Sequence, residues 1–340
     1  MEMLMNIEIR DKARELMKGF CRVCPECNGK VCKNEVPGMG GVGSAQSFIS
    51  NIESLASVKF NMRVLHDCTD PSTETNLFGR KFDLPLLAAP IGGVSFNMGG
   101  QRSEEEYINA VLSGCVQGGI LGCTGDGVPP VIHESAFFAL KELKGEGVPF
   151  IKPWEDAELF EKLDKAVATG VKVVGIDVDA AGLVTLKLMG RPVTPKPLEE
   201  LKDIISKYPV DFIIKGVMTE TDAKIAIDAG ASAIVVSNHG GRVLDHTPGA
   251  AEVLPAISKA VNKQITVLAD GGIRTGGDIV KMLALGADGV MIGRPFSVAA
   301  IGGLREGVAG YIETLKSQMI ATMVLTGCKD VAAIDESILF

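Results

Sequence analysis

Long apolar runs, histidine and tryptophan are what this 340-residue chain has least of. Its longest apolar stretch, LPLLAAPIGGVSF, is too short and too broken by glycine and proline to cross a bilayer, so no membrane span is expected. The opening MEMLMNIEIRDK carries acidic residues and lacks the apolar core and cleavage site of a secretory signal, so the expected location is cytoplasmic. Positive charge is in deficit: 34 Lys and Arg against 42 Asp and Glu give a formal net charge of -8, which argues against nucleic acid or an anionic membrane as partner. With only four histidines and one tryptophan, each one beside other polar residues is a candidate for chemistry.

What the chain does have is repetition. From about residue 84, short apolar runs end in polar or glycine-rich tips and give way to amphipathic helical stretches. The runs are LPLLAAPIG, GGILGCT, VPFIKPW, VKVVGIDVD, VDFIIKGV, ASAIVVSN, ITVLAD and DGVMIG. They are continuous rather than alternating, as strands buried on both faces should be. Ser103 and Glu106 form the pattern of a capping box, and Gly170, Gly230 and Gly286 fall where helices should stop. Eight βα units without a compositional linker predict an α/β protein of the closed (β/α)8 TIM-barrel class rather than two domains. Residues 1–45 stand outside the repeat as a helical, cysteine-bearing extension, with the barrel over 46–340. Within the extension, Gly38, Gly40 and Gly43 match G-x-G-x-x-G, but no predicted strand precedes them, so a dinucleotide site is not expected.

Barrels of this kind carry their chemistry at the C-terminal ends of the strands. That rule gathers Lys215, Ser237, Asn238, His239, Arg242, Asp270, Gly271, Gly272, Arg274, Gly293 and Arg294 at one rim. The last two tips, DGGIR and GR, have the glycines and arginines of the phosphate site often built after strands 7 and 8, so spacing alone predicts a phosphate-bearing ligand.

VSNHGGRVLD followed by LADGGIRTGGDIVKMLALGADGVMIGRPF resembles the FMN-dependent 2-hydroxy-acid oxidases and dehydrogenases. The likeness is strongest from Asp211 to Val331 and extends weakly to about residue 50. It implies FMN as cofactor and oxidation of a 2-hydroxy acid to the 2-oxo acid, with an electron acceptor the sequence does not name. It implies His239 as the base, Arg242 as the carboxylate clamp and Lys215 beside the flavin N1–C2=O edge. Asp270 would bind the ribityl chain, and Gly271, Gly272, Arg274, Gly293 and Arg294 the phosphate. Pro90, Ile91, Gly92, Thr124, Lys152, Asp177 and Ser237 complete the implied flavin contacts. The family also implies a homo-oligomer, often a tetramer.

The chain departs from the family pattern in places. Pro90-Ile91-Gly92-Gly93 stands where the family has Pro-Thr-Ala-Met, and Gly92 removes a methyl near the flavin's reactive edge, where oxygen access could change. Lys152 and Trp154 replace the usual Gln and Tyr, and Asp177 and Asp179 stand for Thr and Asp. An arginine-bearing loop and a substrate-binding tyrosine are missing, with Lys152, Trp154 and Arg191 as conceivable substitutes. Competing expectations are a non-redox FMN barrel such as the type 2 isopentenyl diphosphate isomerase and a flavin-binding protein that has lost activity.

Eight cysteines complete the inventory. Cys68, Cys115, Cys123 and Cys328 are isolated among small or apolar residues and are expected to be buried hydrophobes. Cys21, Cys24, Cys27 and Cys32 are different. Four thiols within twelve residues suit tetrahedral zinc or an iron–sulfur cluster, with a metal-free redox-labile loop as the third reading. An iron–sulfur centre there would draw electrons from FMN and make the enzyme a dehydrogenase.

Overall fold

The computed structural model describes residues 7–191 and 193–340. All eight apolar runs form strands: β1 (Leu86–Ile91), β2 (Leu121–Thr124), β3 (Val148–Ile151), β4 (Val173–Asp177), β5 (Asp211–Val217), β6 (Ala233–Val236), β7 (Thr266–Ala269) and β8 (Gly289–Ile292). Each pairs in parallel with the next and β8 returns to β1, closing the barrel. Six of the eight strands end before their apolar runs do; those ending at Thr124 and Val217 do not. Lys152, Trp154, Ser237, Asn238 and Asp270 leave the ladder just where their polar groups become useful.

Burial on both strand faces explains the unbroken apolar sequence. Leu87, Phe150, Ile213, Val235, Leu268 and Met291 pack inside the barrel, while Ala88, Val174, Ile176, Ile214 and Val236 face the surrounding helices. A two-stranded hairpin, Thr75–Leu77 with Arg80–Phe82, buries Leu77 and Phe82 against the interior residues. Helix ends follow the expected chemistry. The Ser103–Glu106 capping box is present in both directions, and Gly170, Gly230 and Gly286 have φ of 92°, 90° and 107°.

The extension is tied down by side chains rather than draped on the surface. Its helix Ile7–Leu16 lies on the C-terminal helix Arg294–Thr326, which kinks at Leu304. A Cβ at Gly302 would come within 2.1 Å of the Ile9 carbonyl oxygen, so only glycine permits this approach. Ala13 and Met17 are fully buried there. Residues 38–45 then cross the barrel mouth, where the Val42 N–H donates to the Gly241 carbonyl at 2.9 Å and Asp245 accepts from the Ser44 N–H at 2.6 Å. Helix Gln46–Ser57 follows and packs beside the phosphate-type loop. Cβ atoms at Gly271 and Gly272 would strike Asn51 at 2.6 and 2.4 Å, so these glycines serve helix packing as well as any ligand. The four isolated cysteines, Cys68, Cys115, Cys123 and Cys328, are buried as expected.

Candidate active site

A cavity at the C-terminal mouth is lined by residues at or just beyond the C-terminal ends of all eight strands and by Met39 of the crossing segment. Every sequence-expected barrel site residue lines it except Thr124, Ser237 and Asn238, the last buried and bonded to Asn51, Thr247 and Pro248. Thr124 ends β2 in a buried position, and its hydroxyl has no partner. Ser237 is fully buried beneath the site, where its Oγ accepts from the His239 N–H at 3.1 Å. It therefore supports the histidine and, through a side-chain hydrogen bond, the Asp270 carboxyl of the cavity wall.

One side of the cavity is built from acids and bases that answer one another. Lys215 Nζ donates to Asp177 Oδ1 at 3.0 Å, and Lys152 Nζ lies 4.0 Å from Asp177 Oδ2. Burial alone would raise the Asp177 carboxyl, but His239, Lys215 and Lys152 together hold it well below the ordinary carboxylate range. Lys215 shows the reverse: burial disfavours its charge, yet Asp177, Asp179 and Asp270 raise it above the usual lysine value. The ammonium and the carboxylate are thus both charged at neutral pH.

His239 occupies the left-handed backbone region, with φ of 59°, which is uncommon outside glycine and frequent at functional sites. Its Nδ1 lies 2.8 Å from Asp179 Oδ1 and 3.6 Å from Asp177 Oδ1. A carboxylate on Nδ1 places the ring proton there and leaves Nε2 as the basic nitrogen. Asp270 is also buried; burial pushes its carboxyl up, and its Oδ1 has no hydrogen-bond partner among the described residues.

The other side holds three arginines, and among the described residues none of them has a carboxylate partner. Arg242 Nη1 donates to the carbonyls of Gly38 and Gly40 at 2.6 and 3.0 Å, and its Nη2 to Asn97 Oδ1 at 2.9 Å. Arg294 Nε donates to the Met39 carbonyl at 2.7 Å, and its Nη2 to the carbonyls of Gly40 and Gly240 at 3.1 and 3.0 Å. The Arg294 guanidinium also lies 3.9 Å from the centre of the Phe48 ring. Arg274 Nη2 reaches the Cys27 carbonyl at 3.2 Å, while its buried Nε has no partner. Burial, assisted by the Arg294 charge, lowers Arg242 to about 9. A guanidinium satisfied only by neutral dipoles gains strongly from any anion brought to it. The glycine-rich segment 38–43 meets these arginines with carbonyl oxygens, the opposite polarity from a phosphate-binding loop, in keeping with the rejection of its G-x-G-x-x-G pattern.

Two conceivable replacements for the missing family residues lie outside the cavity. Trp154 is buried, donates its Nε1–H to Asp126 and is flanked by Lys162 and Arg191 over its ring. Arg191 pairs with Glu158. Lys152 alone of the three lines the site. Gly92 also has a packing reason: a Cβ there would meet Ile132 Cγ2 at 2.8 Å and Glu104 Oε1 at 3.2 Å. The space its missing methyl leaves is filled by protein. Sequence reasoning passed over Asn97, whose bond orients Arg242, and the apolar wall of Leu183, Leu186 and Met189. It noted Asp179 only as a departure. That residue's signal was its place two positions after Asp177, beyond the end of β4.

The family model for the FMN-dependent dehydrogenases matches residues 38–188 and 185–340. The L-lactate dehydrogenase of Serratia proteamaculans (strain 568) is 31% identical over 359 residues, covering 87% of this chain and 90% of that protein. The L-lactate dehydrogenase of Vibrio cholerae serotype O1 (strain M66-2) is 32% identical over 357 residues, covering 86% and 90%. A crystal structure of mandelate oxidase superposes with a TM-score of 0.82 at 26% identity, over 100% of this chain and 98% of that one. With its barrel, its anion-seeking arginines and this match over most of its length, the chain belongs to the FMN-dependent dehydrogenase family.

Proposed function

We propose that the cavity binds FMN with its phosphate toward Arg274, Arg294 and the Gly271–Gly272 and Gly293 backbone, and oxidises a 2-hydroxy acid bearing an apolar side chain to the 2-oxo acid. Unsatisfied groups support the fit. Asp270 Oδ1 is a buried acceptor in want of a hydroxyl, as a ribityl chain offers, and Arg274 Nε is a buried donor in want of an anion. Bound FMN supplies the two-electron acceptor. Lys215, with one N–H on Asp177 and the others free for the cavity, places positive charge where the flavin's N1–C2=O edge would lie. Pro90, Ile91, Gly92, Lys152 and Asp177 line the remaining wall, with Thr124 and Ser237 behind it.

The observation that carries the reading is the pairing of His239 and Arg242 across one cavity. Among the described residues Arg242 keeps Nε–H and one Nη2–H without a partner, enough for a carboxylate in fork geometry. Its three existing bonds fix the guanidinium plane before substrate arrives. His239 Nε2 then takes a proton from the substrate's C2 or its hydroxyl, and Asp179 stabilises the imidazolium that forms. Leu183, Leu186, Met189, Ile132 and Phe96 bound the space left for the substrate's substituent, which favours an aliphatic or aromatic group over a polar one. The membership in an oxidoreductase family favours this chemistry over the non-redox diphosphate isomerisation.

The test is anaerobic mixing of the yellow protein with a panel of 2-hydroxy acids. Bleaching by 2-hydroxy-4-methylpentanoate or mandelate, faster than by glycolate, is expected. A protein that stays yellow with every acid overturns the reading. A homo-oligomer, from family resemblance, and a cytoplasmic location, from the acidic N-terminal sequence, are part of the same proposal, and sedimentation measures the subunit number. Among the described residues no helix is long and apolar enough to cross a membrane.

A further inference from the structure

We propose that Cys21, Cys24, Cys27 and Cys32 hold a polynuclear iron–sulfur cluster that carries electrons out of the active site; the second half of this rests on the flavin reading above. All four thiols line one cavity of about 390 Å³, distinct from the cavity at the barrel mouth. None is in a disulfide. The loop that bears them is fixed in place: Arg10 Nη2 donates to the Cys24 carbonyl at 2.6 Å and Arg14 Nη2 to the Val23 carbonyl at 3.0 Å. Two sulfurs already receive N–H groups, Cys21 from the Val23 backbone at 3.4 Å and Cys27 from Arg274 at 3.6 Å. Such bonds are those that a metal-bound thiolate accepts.

Geometry chooses the cluster over a single ion. Zinc with bonds of about 2.3 Å to four sulfurs draws those sulfurs to within about 4 Å of one another. Among the described residues the only set of three or more such ligand atoms within 4.8 Å is Asp177, Asp179 and His239, so the thiols stand wider apart than one ion would hold them. A polynuclear cluster spreads its ligands over its own corners, and the cavity has room for one. Its net negative charge would meet Arg10, Arg274 and Arg294, which line the same space and have no carboxylate partner among the described residues.

The placement suggests the role. Met39, Gly272, Arg274 and Arg294 line both cavities, so the two share a wall. On the far side, Arg22, Pro25 and Glu26 of the cysteine loop are exposed. Oxidation of a 2-hydroxy acid to the 2-oxo acid releases two electrons and two protons. The electrons pass one at a time through the cluster to two equivalents of an external one-electron carrier, and the protons return to solvent.

The first measurement needs no variant. Full-length protein purified without air is assayed for iron, acid-labile sulfide, zinc and flavin. About four irons and four sulfides per chain are expected. One zinc per chain, or neither metal, overturns the proposal whether or not flavin is bound. The second compares the wild type with Cys24→Ser and Cys27→Ser. Iron should be lost while flavin stays bound and is still bleached by the hydroxy acid, and reduction of cytochrome c, a carrier too bulky to reach the flavin, should fall by about tenfold or more. Unchanged cytochrome c reduction in an iron-free variant, or none by the wild type, overturns the electron-exit role. Failure of the wild-type flavin to bleach counts against the flavin reading and leaves the iron count standing.

Discussion

The two walls of the barrel-mouth cavity solve the problem of buried charge in opposite ways. On one wall Asp177, Lys215, Lys152, Asp179 and His239 neutralise each other at 2.8–4.0 Å. On the other, Arg242, Arg274 and Arg294 are held by carbonyl oxygens, with no acid opposite them among the described residues. A compensated wall is complete without a ligand and can hold its geometry for proton transfer. An uncompensated wall is finished only by an anion. The molecule thus separates a wall whose charges are internally balanced from one that keeps an electrostatic deficit, as the proposed phosphate and carboxylate sites require.

That contrast can be broken most severely at His239. His239→Ala should retain flavin yet slow hydroxy-acid bleaching by about 10³-fold, since positioned proton transfer is worth about 10²–10⁴. Stopped-flow bleaching with near-normal rates would place the base elsewhere. Next comes the balance itself. Asp177→Asn leaves the Lys215 ammonium buried without its partner and should cost about 3–5 kcal/mol in a denaturant titration, with much of the loss recovered in the Asp177→Asn/Lys215→Met double variant. The sign with pH follows from the depressed carboxyl. It contributes stability above the ordinary aspartate value of 3.8 and loses it as pH falls through that value and toward its lower folded one, so wild-type stability should fall with acid more steeply than that of the variant.

On the arginine wall the effects are smaller and differ in kind. Arg274→Ala should weaken FMN by about 1.5–3 kcal/mol with little change in folding, because its Nε waits unpaired. Arg294→Ala should weaken FMN similarly and also loosen residues 39–40, seen as faster amide exchange there, because its bonds hold that segment. Equal flavin affinity in both variants and the wild type would put the phosphate elsewhere. The smallest change concerns the apolar wall: Leu186→Ala should shift preference toward larger substituents by about 1 kcal/mol in kcat/KM ratios, and an unaltered ranking across the acid panel would remove Leu186 from the substrate's path.

The barrel was legible because its strands are buried on both faces, which writes eight unbroken apolar runs into the chain. The rim position of the proposed base was legible for a related reason: polar residues that end such runs, His239 and Asp270 among them, have nowhere to go but the rim. What could not be read was anything depending on distant backbone. Carbonyls at 38–40 carry no side-chain signature, so their grip on Arg242 and Arg294 was invisible, as was the role of Asn97. Trp154 misled for the opposite reason. Its rarity drew attention, while the Asp126 and Lys162 groups that hold it in the scaffold lie far from it in residue type and pattern. Gly92 was read as space beside a flavin, although Ile132 fills that space from forty positions on in the chain.

The seat of Ile9 on Gly302 has a consequence for how the molecule comes into being. The first helix finds its resting place only on the last one, and the early carbonyls at 38–40 receive their guanidinium from the start of that same late helix. A ribosome releasing this chain therefore delivers the carbonyls that hold Arg294 long before Arg294 itself, and that set of bonds closes only when the early and late parts of the polypeptide have met.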